Sequence, residues 1–277
     1  MRVLSLGGGT QSTVMALLAD EGRFGPRPDV AVFADTGWEP DAVYDNVAWL
    51  EQQLSYPVVT VTADPDRSLQ QAVTEGVNVR GRPWLTIPGW LADRDGNPAG
   101  VNWRQCTTDY KIAPIRAEVR KRLGLKPRSP IPDSTTIEMW LGISTDEQIR
   151  MRISPDRWIV NRYPLVDSVM SRSDCIAWFA ERWPNRRLPR SACAGCPYRS
   201  AESWAELRET EPHTFAEAVR IDTLIRSPDH HAFRMFRKRV FLHPRRVPLA
   251  EAVDADAADA NPPHGAWGND CAGVCGV

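Results

Sequence analysis

Apolar and polar positions alternate in short blocks along the first 150 residues. Compact apolar runs that are typical of buried strands occur at residues 2–6, 30–34, 57–62 and 137–143. Between them, mixed apolar and polar stretches predict helices over residues 10–20 and 42–54, and a short helix from Asp146. Strands that alternate with helices predict an α/β domain with a mainly parallel sheet flanked by helices. Ligands of such sheets bind beyond the carboxyl ends of the strands.

The pattern becomes helical after residue 170, with predicted helices over residues 171–183, 201–209 and 213–225. Residues 78–104 are rich in Gly, Pro and Trp and predict an irregular lid. Residues 250–261 are rich in Ala and Asp without apolar periodicity, which predicts a flexible arm. We therefore expect an α/β domain over residues 1–170, a helical region over 171–249 and a flexible C-terminal arm over 250–277.

The composition is that of a globular protein. The chain has 277 residues, of which 42% are hydrophobic and 25% charged, and its formal net charge of -1 excludes a global basic field. No apolar run approaches the roughly 18 residues of a membrane span, and no signal-peptide pattern follows Met1. We therefore expect a cytoplasmic protein without a membrane partner. In that compartment six cysteines suit metal ligation or thiol chemistry better than a disulfide framework.

A glycine loop lies between the first predicted strand and helix. It contains Ser5, Gly7, Gly8, Gly9, Gln11, Ser12 and Thr13. Glycines let the backbone approach an anion, and a helix N-terminus offers free N–H groups. The Gly-Lys-Ser/Thr ending of a P-loop and the Gly-x-Gly-x-x-Gly spacing of a dinucleotide fold do not occur there. A phosphate site and a plain tight turn are both open from the glycines alone.

Three further segments form an ordered set with this loop. They are Phe-Ala-Asp-Thr-Gly at 33–37, Gly-Ile-Ser-Thr-Asp-Glu-Gln-Ile-Arg at 142–150, and Tyr-Pro-Leu-Val-Asp at 163–167. The set resembles the PP-loop (ATP pyrophosphatase) family in its branch similar to phosphoadenosine phosphosulfate (PAPS) reductase. The resemblance implies a Rossmann-like fold of the adenine nucleotide alpha hydrolase type. It also implies that ATP or PAPS is bound, with Mg²⁺.

The resemblance assigns roles position by position. Gly7, Gly8, Gly9, Ser12 and Thr13 would hold phosphates, and Ser5 and Gln11 belong to the same element. Asp35 would lie near the ribose or Mg²⁺, and Arg150 would face the polyphosphate. The remaining nucleotide-site positions are Thr36, Gly142, Ser144 and Glu147. An exposed helix arginine is the alternative interpretation of Arg150.

The Cys193-Ala-Gly-Cys196-Pro unit places two thiols at a spacing that suits one metal or cluster. Cys106 supplies a third thiol far away in the sequence. The segments at 104–115 and 193–197 resemble those of PAPS reductase-like proteins, and related thiolation enzymes hold a [4Fe-4S] cluster with three cysteines. The resemblance thus implies such a cluster on Cys106, Cys193 and Cys196. Structural zinc and a bare redox pair are the alternatives.

Four further residues have candidate roles. Lys111 follows Cys106 on a predicted helix and would reach a substrate phosphate or sulfate, or would be a surface lysine. Cys271 and Cys275 lie near the end of the predicted arm. In PAPS reductases a C-terminal cysteine attacks sulfur, so either thiol is a catalytic candidate, a fourth iron ligand or incidental. Cys175 lies in the predicted helix 171–183, where core packing is expected.

Two basic clusters indicate a possible DNA or tRNA surface. The first is Arg182, Arg186, Arg187 and Arg190; the second is Arg234, Arg237, Lys238, Arg239, Arg245 and Arg246. Aromatic residues are interleaved with the second, as suits phosphate contact and base stacking. A solvated helix face is the alternative explanation for both.

Three functions are compatible with these features. The first is an ATP-dependent sulfurtransferase that adenylates an oxygen of a nucleobase, nucleic acid or related substrate and replaces it with sulfur, using a sulfur-donor partner. The second is a PAPS or adenylylsulfate reductase that forms sulfite with a thiol-reductant protein. Gln105 stands where true adenylylsulfate reductases have a second cysteine, which disfavours a simple reductase. The third is a non-catalytic nucleotide- or nucleic-acid-binding protein.

Overall fold

The computed structural model describes residues 1–126 and 128–259. Its strands are β1 (Arg2–Leu6), β2 (Val30–Asp35), β3 (Val58–Thr62), β4 (Trp90–Ala92), β5 (Pro98–Val101), β6 (Ile137–Leu141), β7 (Ile159–Arg162) and β8 (Arg239–Phe241). Its α-helices are α1 (Thr10–Asp20), α2 (Asp41–Gln53), α3 (Leu69–Glu75), α4 (Ala113–Arg122), α5 (Pro164–Asp167), α6 (Arg172–Arg182), α7 (Ala201–Thr210), α8 (Pro212–Arg226), α9 (His231–Phe236) and α10 (Leu249–Ala257). A π-helical turn, Thr107–Ile112, leads into α4, and a 3₁₀ helix covers Thr145–Arg150.

The central sheet is parallel and has the strand order β3-β2-β1-β6-β7. The chain runs outward from β1 through β2 to β3, and β6 then adds on the other side of β1. The order therefore reverses between β1 and β6, which is where ligands of open α/β sheets bind. This topology confirms the predicted α/β fold with a mainly parallel sheet.

Helices cover both faces of this sheet. Neighbouring residues of a strand point to opposite faces, so Leu4 and Val3 enter different buried clusters. Leu4 shares one cluster with Val14 of α1 and Phe179 of α6. Val3 shares the other with Val119 of α4. The sheet is thus the middle layer of three, and its central strands β1, β2 and β6 are largely buried on both sides, as expected for parallel strands.

A second, antiparallel sheet has the order β5-β4-β8. The prediction of an irregular lid over residues 78–104 is wrong for β4 and β5. Trp90, Leu91 and Ala92 of β4 are buried, and Leu91 lies opposite Val240 of β8. The partner strand is far away in sequence, so the local Gly and Pro content concealed this pairing.

The helices after residue 200 form a third buried cluster with earlier parts of the chain. Trp204 of α7 and Ile221 of α8 share this cluster with Leu69 of α3, Leu85 and Tyr110. The same cluster includes Ala194 of the Cys-x-x-C unit and therefore supports the region that carries the cysteines. Within the described residues, no helix combines the length and the apolar character that crossing a membrane requires.

The prediction of a flexible arm from residue 250 is wrong for the part that forms α10. Leu249 and Val253 of α10 are buried. Asp256 lies 2.9 Å from Nε2 of His243 and also pairs with Arg245. A helix rich in small and acidic residues is thus held in place partly by polar contacts, and apolar periodicity in the sequence does not detect such contacts. The rest of the predicted arm, from residue 260 on and including Cys271 and Cys275, lies outside the described residues.

Candidate functional site

The glycine loop connects β1 to α1 at the point where the strand order reverses. Gly8 has a φ of 70°, a left-handed conformation that favours glycine. The Ser12 Oγ accepts a hydrogen bond from the Gly7 N–H at 3.2 Å and donates to the Gly9 carbonyl oxygen at 3.2 Å. Asn46 of α2 donates to the Gly8 carbonyl oxygen at 3.0 Å. These bonds hold the loop in one conformation.

Two other predicted loop residues lie in the core beneath the loop. Ser5 is in β1 and Thr13 is in the first turn of α1, and both are buried. The Thr13 hydroxyl accepts a hydrogen bond from Asn46 at 2.7 Å. Because the hydroxyls of Ser12 and Thr13 have partners within the protein, their predicted contact with phosphates remains a prediction.

The loop packs directly on the end of β6. A methyl group added to Gly142 would lie 2.9 Å from the Ser12 backbone nitrogen, so this position requires glycine. The Gln11 amide donates to Ser144 at 3.4 Å and to Glu147 at 3.3 Å. The structure therefore brings the predicted residues after β6 against the predicted glycine loop.

Arg150 extends this polar group. It donates to the Glu147 carboxylate at 2.7 Å, and the two side chains are 22% and 4% exposed. Burial raises the pKa of Glu147, and the neighbouring Arg150 charge opposes that shift. The loop side of the site thus contains a cation that is ordered by a buried carboxylate.

Asp35 lies at the carboxyl end of β2, as predicted. Its carboxylate accepts from the Gly37 N–H at 2.7 Å and from the Tyr44 hydroxyl at 2.8 Å. Burial and the Asp35 carboxylate raise the pKa of Tyr44, so its phenol keeps the proton that it donates. A polar cleft opens between the ends of β2 and β3, lined in part by Asp35, Thr36, Asp64 and Arg67.

The three cysteines predicted as ligands line one cavity. Cys106, Cys193 and Cys196 share it with Lys111 and Thr36. Thr36 also lines the polar cleft beside Asp35, so the two spaces share this residue. The cysteine cavity therefore adjoins the carboxyl edge of the sheet, where the nucleotide residues are predicted.

The Cys-x-x-C turn is held tightly in place. The Cys196 N–H donates to the Cys193 carbonyl oxygen at 3.0 Å. A methyl group on Gly195 would lie 2.2 Å from the Trp38 ring, so only glycine fits there. The buried Arg199 donates to the Cys193 carbonyl oxygen at 3.1 Å and to that of Ala192 at 2.8 Å.

Cys106 enters the cavity from the other side. Its N–H donates to the Thr86 carbonyl oxygen at 3.0 Å. The π-helical turn starts at the next residue and places Lys111 at the cavity wall. The predicted helix after Cys106 is therefore present, although its first turn is π-helical.

Glu39 contacts three residues of the cavity wall and was not predicted from the sequence. Its Oε1 accepts from the Thr36 hydroxyl at 3.0 Å and the Cys193 thiol at 3.3 Å, and it lies 3.3 Å from Lys111 Nζ. Within the described residues, the buried Glu39 Oε2 has no hydrogen-bond partner. The only available sequence signal was a charged residue close after Asp35-Thr36-Gly37.

Burial sets the charge state of these groups. It raises the pKa of Cys106 to about 11 and also raises the pKa values of Cys193 and Cys196. Burial disfavours the charged form of Lys111, but Glu39 and the neighbouring sulfurs outweigh this effect and raise its pKa. A metal that binds these thiols would have to displace their protons.

The three thiols form a donor set that suits a metal centre. Zinc binds such thiolates directly, and an iron–sulfur cluster takes each thiolate at a separate iron. The cluster on Cys106, Cys193 and Cys196 remains a prediction, with structural zinc as the alternative.

One compact ligand group does occur elsewhere. Asp41, Glu211 and His213 place ligand atoms within 4.8 Å of one another. The Glu211 carboxylate accepts from the N–H groups of Asp41 and Ala42 at the start of α2, at 2.9 and 3.1 Å. Capping of this helix accounts for the cluster.

A loop contact joins the cysteine segment to the phosphate loop. A methyl group on Gly9 would lie 2.7 Å from the Ser191 backbone nitrogen, so residue 191 crosses directly over the loop. The Thr10 hydroxyl donates to the Pro189 carbonyl oxygen at 3.4 Å. No local pattern in the sequence predicted this contact, which brings the two halves of the site together.

The first basic cluster is largely engaged within the protein. Arg182 lies over Trp178 at 4.1 Å and Arg186 over Trp49 at 4.5 Å. Arg190 lies 3.2 Å from Glu206. These contacts give the arginines a structural role, and a role in nucleic-acid binding remains a prediction.

The second basic cluster is likewise tied to its surroundings. Arg245 pairs with Asp256 and Asp259, and Arg246 donates to the Leu91 carbonyl oxygen at 2.9 Å. The predicted packing role of Cys175 is confirmed, since this residue of α6 is fully buried in the same apolar cluster as Leu4 of the sheet.

Comparisons with known proteins give little further assignment. No protein-family model and no curated protein matches the chain. Among solved structures, it is similar to the U34-tRNA thiolase NcsA from Methanococcus maripaludis with its [4Fe-4S] cluster. The TM-score is 0.32 at 16% identity, over 79% of this chain and 69% of that chain. A likeness this distant assigns neither family nor activity.

Proposed function

We propose that the chain is an ATP-dependent iron–sulfur sulfurtransferase. The acceptor oxygen of a nucleobase, nucleic acid or related substrate would attack the α-phosphorus of ATP, and pyrophosphate would leave. Sulfur at the oxidation level of sulfide, from a donor partner, would then displace AMP. The oxygen leaves with AMP and no net electron transfer is required.

One observation carries this proposal. Three thiols from two distant parts of the chain share a cavity with Lys111, and Thr36 lines both that cavity and the cleft beside Asp35. A structural metal site would not need to adjoin the carboxyl edge of the sheet. A sulfur-transfer site must do so, because the activated substrate and the sulfur have to meet.

The loop side of the site would bind the nucleotide. The backbone of the glycine loop and the N-terminus of α1 would hold the phosphates. Arg150, ordered by Glu147, would stabilise the charge that develops on the departing pyrophosphate. Asp35 would contact the ribose or Mg²⁺.

The cavity side would hold the sulfur chemistry. Cys106, Cys193 and Cys196 would bind a [4Fe-4S] cluster, which when bound supplies an iron that can hold sulfur for transfer. Lys111, ordered by Glu39, would attract the phosphate of the activated substrate toward this cavity. Cys271 and Cys275 remain candidates for a catalytic thiol or for a fourth iron ligand.

The product pattern tests the proposal. Anaerobically purified protein is incubated with ATP, sulfide and either tRNA, single-stranded DNA or nucleosides, and we expect AMP and pyrophosphate to form with one acceptor class. Formation of sulfite from PAPS with thioredoxin, without ATP turnover, would instead identify a reductase. Nucleotide binding without either product would identify a non-catalytic binder.

A further inference from the structure

An exposed tryptophan directly precedes a residue that lines the cysteine cavity. Trp103 is 83% exposed. The next residue, Arg104, lines the cavity together with Cys106 and Pro197. Single exposed apolar side chains are common on protein surfaces, so a ligand contact at Trp103 has to be inferred from what surrounds this ring.

The backbone holds Trp103 outward on a short, anchored segment. On one side Asn102 is buried, and its amide donates to the Leu85 carbonyl oxygen at 3.2 Å. On the other side the Cys106 N–H donates to the Thr86 carbonyl oxygen at 3.0 Å. The exposure of Trp103 is therefore a fixed feature of this segment, close to the cavity.

A cation accompanies the aromatic ring. The Arg104 guanidinium lies 5.5 Å from the centre of the Tyr198 ring, which keeps it at the rim. Arg104 also lines the cavity together with Cys106 and Cys196. An aromatic platform next to a cation is the combination that binds a base and its phosphate in single-stranded nucleic acids.

We infer that Trp103 and Arg104 form a docking point for single-stranded nucleic acid at the cavity mouth. Trp103 stacks on an unpaired base and Arg104 contacts a neighbouring phosphate, which places the next base at the cavity. This inference rests on the proposed function and narrows its substrate class to unpaired nucleic acid.

The surroundings favour nucleic acid over a protein partner. A protein interface needs a contiguous apolar core. Of the other exposed large apolar side chains in the described residues, only Val101 is in this segment, whereas Ile149, Ile153 and Val169 are in others. A single exposed ring beside an arginine suits a base better than an apolar protein surface.

Binding of a labelled, mixed-sequence single-stranded oligonucleotide tests the inference. Fluorescence anisotropy is measured with anaerobically purified full-length protein at low, fixed salt. We expect Trp103→Ala to weaken binding about 5- to 100-fold, as the loss of one stacked base implies. Trp103→Phe should retain most of the affinity. Arg104→Gln should lower the slope of log affinity against log salt by about one.

Ile153→Ala is the matched control, because Ile153 is a 95% exposed apolar residue in a different segment. Its affinity should equal that of the unchanged protein. The inference would be overturned if Trp103→Ala bound as tightly as the unchanged protein, or if Ile153→Ala lost as much affinity as Trp103→Ala. It would also be overturned if no oligonucleotide bound, or if an abasic oligonucleotide bound as tightly as one with bases.

Iron content and AMP formation are measured on the same preparations. If iron and AMP formation are retained and Trp103→Ala binds the oligonucleotide normally, the docking inference alone fails. If the unchanged protein lacks iron and forms no AMP, the proposed function fails regardless of oligonucleotide binding.

Discussion

The glycine loop and the cysteine cavity both adjoin the carboxyl edge of the sheet but are stabilised differently. In the loop, Ser12 and Asn46 hydrogen-bond to neighbouring backbone groups, and all of these groups are neutral. In the cavity, a buried carboxylate, a lysine and three thiols meet. Within the described residues, Trp38 Nε1 and Glu39 Oε2 there have no hydrogen-bond partner.

This contrast indicates how each part depends on its ligand. The loop reaches its conformation through its own hydrogen bonds, so removing one bond should have a small effect. The cavity concentrates buried charge and thiols whose cost falls when a metal or cluster is bound. Changes in the cavity should therefore have larger effects than changes in the loop.

The largest effect should come from the cysteines. Cys106→Ala, Cys193→Ala and Cys196→Ala should each lose nearly all bound iron and visible colour, because each removes one of three protein ligands. Iron analysis of anaerobic preparations measures this loss. Cys175→Ala is the matched control and should retain iron, since Cys175 is buried in a hydrophobic cluster that does not include the cavity cysteines. Full iron in all three ligand variants would contradict the cluster site.

The next effect concerns Glu39. Glu39→Gln should lower the free energy of unfolding by about 3 kcal/mol, because Lys111 would remain as a buried cation without its partner. Urea unfolding measures the change. Adding Lys111→Met should recover part of the loss, whereas the exposed Glu209→Gln control should change stability little. If Glu39→Gln left the free energy of unfolding unchanged, the ion pair between Glu39 and Lys111 would not stabilise the protein.

Two glycine substitutions should distinguish the effects of the cavity from those of the loop. Gly195→Ala should destabilise the protein by about 1–3 kcal/mol and lower iron content, because its methyl group would overlap the Trp38 ring. Gly142→Ala should weaken nucleotide binding while iron is retained, because its methyl group would press on the Ser12 backbone. Thermal unfolding, iron analysis and calorimetry compare the two variants. If each variant lost both iron and nucleotide affinity, the two parts would not be separable.

The smallest effect should come from Ser12. Ser12→Ala removes the hydroxyl that links Gly7 and Gly9 and should weaken nucleotide binding by about 1 kcal/mol, or roughly fivefold. Isothermal calorimetry measures the affinity, with Ser173→Ala on the exposed face of α6 as the control. Unchanged affinity in Ser12→Ala would exclude the loop from the nucleotide site.

The same contrast explains what the sequence predicted. The strands, the glycine loop and the residues after β6 were predictable because short apolar runs and closely spaced motifs define them locally. The resemblance also indicated that Cys106 joins Cys193 and Cys196, and the structure places all three in one cavity. Their role as ligands remains a prediction.

The missed features depend on contacts between distant residues. Pairing of β4 with β8 joins residues nearly 150 positions apart, so no local pattern revealed it. Glu39 gains its importance from Lys111 and Cys193, which only the folded chain brings near. In α10, Asp256 is satisfied by His243 and Arg245, and its packing could not be inferred from apolar periodicity.

Iron and acid-labile sulfide analysis of the anaerobically purified protein, with a visible spectrum, tests the central claim most directly. The three-thiol cavity predicts about four irons and four sulfides per chain, with broad visible absorption. A colourless protein that binds one zinc and no sulfide would contradict the cluster site and the sulfur-transfer function built on it.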